Sequence, residues 1–129
     1  MLAIDTNVVV RYLTGDHPEQ SRKARALVDS QDIFVCTTVL LETEWVLRSV
    51  YGLTPVEAAK ALSAFAGLES VTLEDAPLAA KALNWVNQGM DFADALHLAK
   101  AEACDAMVTF DRRFAKIASK LSAVGIRSL

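Results

Sequence analysis

Short apolar runs without polar alternation recur between helical segments, and this pattern constrains the fold more than any single residue does. The runs are MLAID (1–5), IFVC (33–36), VTL (71–73), AMVTF (106–110) and VGIRSL (124–129). A strand with one wet face alternates apolar and polar residues. These runs show no such period, as expected of strands covered on both faces. Helical stretches separate them. Thr6 or Asn7 is placed to cap a first helix reaching about Leu13, and Asp16 a second over Glu19–Ser30. TTVLLETEWVLRSVY (37–51) reads as a helix stopped by Gly52. Thr54-Pro55-Val56-Glu57 is a capping box with proline at the first helical position, opening a helix over 55–66. Asp75 and Pro77 start another that ends at Gly89, DFADALHLAKAEA (91–103) follows, and RRFAKIASKL (112–121) is the last. Strand and helix in alternation predict an α/β fold, a short parallel sheet of about four to five strands flanked by helices in three α/β/α layers. At 129 residues, with no linker or repeat, a single domain over 1–129 is expected.

In such folds the working crevice lies beyond the carboxyl ends of the strands. Asp5 ends the first strand and Asp111 directly follows AMVTF. Two carboxylates from opposite ends of the sequence thus arrive at one rim. Glu42 shares a helical stripe with Val39, Val46 and Val50, so it is expected to face inward. Glu44, four residues before Arg48, is expected to form an exposed ion pair. Asp91 reads as a helix N-cap, which puts Asp94 at the third helical position, where the helix terminus favours negative charge.

Were Asp5, Glu42, Asp94 and Asp111 to converge, their charges would need an answer. Two carboxylates ~5 Å apart repel by roughly 3 kcal/mol at an effective dielectric near 20. Either some stay protonated or a cation sits among them. Oxygen donors alone point to a hard ion, Mg²⁺ or Mn²⁺. Zinc is disfavoured: the chain has two histidines, His17 and His97, both expected at the surface, and no HExxH or CxxC pattern.

The formal net charge is −3, against a broadly basic nucleic-acid-binding surface. A metal answers part of that objection by attracting phosphate locally, and Arg11, Arg48, Arg112, Arg113 and Lys116 could supply a modest rim. The hydrophobic fraction is 53%, an apolar surplus consistent with a covered interface. Cys36 and Cys104 lie in apolar stretches and are expected as small core residues. Trp45, Trp85, Tyr12, Tyr51 and the five phenylalanines could stack on bases, but their apolar settings favour the core. No run approaches the ~20 apolar residues of a membrane span, and no basic segment precedes the first apolar run, so a cytoplasmic protein is expected.

IDTNVVVRYLTGD, LLETEWVLRSVYG, GMDFADALHLAKA and VTFDRRF, in this order and spacing, resemble the PIN-domain ribonucleases. Within that family the chain is similar to VapC-like toxins of type II toxin–antitoxin pairs. The resemblance covers nearly the whole chain. It implies that Asp5, Glu42, Asp94 and Asp111 form the acidic quartet that holds Mg²⁺ or Mn²⁺ for endonucleolytic RNA cleavage. It also implies that Asn7 and Thr109 support the site by hydrogen bonding, and that Asp91 is an accessory acid. Family members usually dimerise, and an antitoxin segment covers their active-site groove. A haloacid-dehalogenase-type phosphatase would need an aspartate where Asn7 stands. A receiver domain would need an adjacent acidic pair after the first strand and a lysine near the last. The remaining alternative is a PIN-like interaction module without catalysis.

Overall fold

The computed structural model describes all residues, 1–129, and parses into two compact units, Met1–Ala76 and Pro77–Leu129. In the first unit the order is β1 (Leu2–Ala3), α1 (Thr6–Leu13), α2 (Pro18–Ser30), β2 (Ile33–Val35), α3 (Thr37–Ser49), α4 (Pro55–Ala66) and β3 (Val71–Leu73). The three strands form one parallel sheet in the order β1-β2-β3, with Leu2 opposite Ile33 and Ile33 opposite Val71. Ile33 and Val35 are fully buried, as the unalternating sequence required of a central strand. Val9 and Val10 of α1, Val28 of α2, Leu40 and Leu47 of α3, and Leu62 and Phe65 of α4 are buried with them.

The second unit contains most of α5 (Ala76–Val86), then α6 (Phe92–Lys100), β4 (Ala106–Thr109), α7 (Arg112–Leu121) and β5 (Gly125–Ser128). β4 and β5 pair in parallel, Ala106 opposite Gly125 through Thr109 opposite Ser128. Leu83, Trp85, Val86, Phe92, Ala95, Leu98, Phe114 and Ala118 are buried. The fold class is the expected one, mixed α/β with only parallel strands. The five strands hydrogen-bond as a sheet of three and a pair.

Local chemistry explains most element ends. Thr54 and Glu57 close the capping box reciprocally, the Thr54 N–H donating to Glu57 and the Glu57 N–H to Thr54 Oγ1. Gly52 and Gly89 hold φ of +70° and +102°, a conformation that costs other residues a clash at Cβ.

Several expectations are corrected. The first strand shortens to Leu2–Ala3, and Asp5 rather than Thr6 or Asn7 caps α1. Asp5 is extended (φ −93°, ψ 178°), and its Oδ1 accepts from Val8 N at 3.1 Å, leaving Thr6 and Asn7 inside the helix. His17, not Asp16, caps α2: its Nδ1 accepts from Gln20 N at 3.3 Å. Asp16 is instead held by Tyr51, Thr14 and Arg11. The helix after Asp91 ends at Lys100 and tightens into a 3₁₀ turn over Ala101–Ala103. Neither cysteine is a core residue, since Cys36 is half-buried and Cys104 exposed. Most aromatics are at least half-buried, but Trp45 (58% exposed) and Phe110 (80%) are not.

Helix α3 is rotated relative to expectation. Its packed stripe is Leu40, Thr43, Glu44 and Leu47, so Glu44 is buried and Glu42 exposed. Val50, counted on the inward stripe from sequence, is 68% exposed. Glu44 is admitted to the interior because Arg48, one turn on, donates to it at 2.7 Å.

Candidate functional site

Asp5 follows the two-residue strand β1 and caps α1, so its carboxylate is fixed at a strand-to-helix junction. The residue is exposed, and with Asn7 it lines a cleft of about 390 Å³ together with Arg11, Gln20 and Lys23. Thr6, next in the chain, is buried, and its hydroxyl donates to Glu42 Oε1 across 36 residues of sequence. Glu42, though exposed on α3, is thus tethered to the start of α1. Arg11 is not a loose rim charge. Its guanidinium donates to Gln20 at 2.9 Å, Tyr51 at 3.1 Å and Asp16 at 3.4 Å. Arg48 is likewise committed to Glu44.

Three further acids belong to the second unit. Asp91 caps α6, its Oδ2 accepting from Asp94 N at 3.3 Å, which leaves Asp94 at the third helical position as expected. Asp111 stands two residues past β4 and caps α7, its Oδ1 accepting from Phe114 N at 2.9 Å. Thr109 Oγ1 accepts from Asp111 N at 2.9 Å, so Thr109 braces the turn that carries this acid. Partial burial pushes the Asp94 carboxyl above the usual carboxylate range, and the negative charges of Asp91 and Asp111 push it the same way, against an opposing pull from His97. These acids are near enough to feel one another. His17 and His97 are both at the surface.

At Asp94 the negative charges of Asp91 and Asp111 disfavour a further one, and carboxylate oxygens as donors suit a hard divalent ion. Within neither unit do three His, Cys, Asp or Glu side chains gather as a ligand set. Sequence reasoning missed Thr6: nothing in the pattern links it to Glu42, because the pairing depends on how α1 and α3 pack. It also missed the exposure of Phe110, directly before Asp111.

No curated protein matches the sequence significantly. The family model described as "PIN domain" matches residues 2–120, spanning Asp5, Glu42, Asp94 and Asp111. PIN domains are in general nucleases that use divalent metal ions, and by this match over most of its length the chain belongs to the PIN-domain family.

Proposed function

We propose that the chain is a Mg²⁺- or Mn²⁺-dependent endoribonuclease acting as the toxin of a type II toxin–antitoxin pair. What carries this reading is the placement of Asp5 and Asp111 at strand-to-helix junctions within a chain whose residues 2–120 match the PIN family model. Asp5 and Asp94 are the principal ligands in this reading, and Glu42 and Asp111 complete the set, with the chain working as one catalytic domain. A divalent ion, when bound, offsets charge on the scissile phosphodiester and makes a nucleophile of water at neutral pH.

The protein's own residues do the positioning. Thr6 orients the Glu42 carboxylate by donating to Oε1, and Thr109 fixes the backbone at Asp111. Asp5, Asp91 and Asp111 each spend one oxygen on a helix cap, which locks their rotamers before substrate arrives. Water adds at phosphorus, the P–O3′ bond breaks and the leaving oxygen takes a proton, so the ends are a 5′-phosphate and a 3′-hydroxyl. A homodimer in the cytoplasm, with an antitoxin segment over the groove, completes the proposal.

One observation favours the non-catalytic interaction module: neither unit gathers a three-residue ligand set. Calorimetric titration with Mn²⁺ separates the two readings. The nuclease reading expects saturable binding, weakened at least about tenfold in Asp94→Asn. No binding by the wild-type chain favours the interaction module.

A further inference from the structure

Residues 106–129 hold five of the chain's thirteen Lys and Arg residues and one of its sixteen acids, Asp111. Four of the five lie on α7. Its buried face is Phe114, Ala115 and Ala118, while Arg112, Arg113, Lys116 and Lys120 are all exposed. Arg112, Lys116 and Lys120 follow one another at four-residue spacing, a stripe about 12 Å long at 1.5 Å per residue. None of the four is matched to a carboxylate by an ion pair.

An apolar patch adjoins this stripe at its start. Phe110 is 80% exposed. Leu129 N donates to Thr109 O at 2.9 Å, a bond of the terminal Thr109–Ser128 pair, which ties the 73% exposed Leu129 to the end of β4 next to Phe110 in the chain. Val108, two residues back on β4, is 47% exposed, and Arg127 is its partner in register.

We infer that Phe110 is a stacking platform for one base of single-stranded RNA, with the strand's phosphates running along Arg112, Arg113, Lys116 and Lys120. An exposed ring beside a row of unpaired cations is complementary to a ligand that carries planar faces on a polyanionic backbone. Because Phe110 directly precedes Asp111, a base held there places its phosphates beside an acid of the candidate site. The inference rests on the nuclease reading above and assigns its substrate strand a path.

The test uses the full chain carrying Asp5→Asn, so that bound RNA is not cut. The probe is a fluorescein-labelled single-stranded RNA of mixed sequence, followed by anisotropy at several salt concentrations. Phe110→Ala is expected to weaken binding by roughly 5- to 150-fold, the loss carried by one stacked base. Phe110→Trp is expected to retain it. Combined Arg112→Gln, Arg113→Gln and Lys116→Gln is expected to flatten the slope of log affinity against log salt by about 2. All four side chains are exposed, and unchanged melting of each variant excludes misfolding as the cause.

Binding unaffected by Phe110→Ala overturns the inference. If that variant instead changes the oligomeric state by light scattering, the patch is a protein interface and the inference falls. Failure of the Asp5→Asn parent to bind RNA overturns it together with the nuclease reading. Phe110-dependent binding by a chain whose wild type cuts nothing sustains the RNA path and removes the nuclease reading alone.

Discussion

Asp5 joins an observed role to a proposed one. One oxygen caps α1 through Val8 N, and the residue stays exposed just past β1, where the nuclease reading proposes a metal ligand. Asparagine caps nearly as well as aspartate, whereas alanine cannot cap at all. Asp5→Asn is therefore expected to leave stability close to wild type, and Asp5→Ala to lose about 1 kcal/mol by urea unfolding, while both abolish cleavage. An equal stability loss in both variants would show that the negative charge, not the hydrogen bond, supports α1. At this scale the sequence was only partly legible. Asp91 announced itself as a cap because an apolar helical run follows it. Asp5 and Asp111 looked like strand-end acids, and their capping role was hidden because the strands β1 and β4 end earlier than their apolar runs. Thr6 gave no signal, since its partner Glu42 lies 36 residues away.

Helix α3 shows why element order was easier to read than element orientation. Its limits were visible in the apolar run and in Gly52. Its buried face was not, because an almost uniformly apolar helix gives periodicity little to decide with. The packed stripe includes Glu44, 2% exposed at the side chain, and the Thr43 hydroxyl, buried without a hydrogen-bond partner. An exposed i,i+4 pair contributes a few tenths of a kcal/mol, but removing one partner of a buried pair strands a charge. Arg48→Met is expected to destabilise the chain by about 3 kcal/mol in equilibrium unfolding, discounted from the upper end because Arg48 is 30% exposed. Glu44→Leu, which removes the buried charge itself, is expected to cost much less. Equal small effects would mean that water reaches Glu44. The other elements were legible from local rules: the capping box of Thr54 and Glu57, the left-handed glycines, and the short unalternating strands.

The net charge of −3 conceals an asymmetry that averaging over the chain removes. Met1–Ala76 carries six basic and eleven acidic residues, and Pro77–Leu129 seven basic and five acidic. The second unit is formally positive even with Asp91, Asp94 and Asp111 counted. A nucleic-acid substrate is therefore less at odds with the charge than the whole-chain value implied. No helix of the structure is long and apolar enough to cross a membrane. The α/β class and the acids at strand ends were legible because both follow from short-range pattern. The identity of the exposed aromatics was not, because composition says how much apolar surface exists and not which ring is left outside. The central claim, metal-dependent RNA cleavage by these acids, is tested most directly with cellular RNA. Wild type and Asp94→Asn, each freed of co-purifying partner protein, are incubated with Mn²⁺ or with EDTA, and the cut ends are mapped. The account predicts cleavage by wild type with Mn²⁺ alone, leaving 5′-phosphate and 3′-hydroxyl ends. Cleavage that persists in EDTA, or that Asp94→Asn matches, would contradict it.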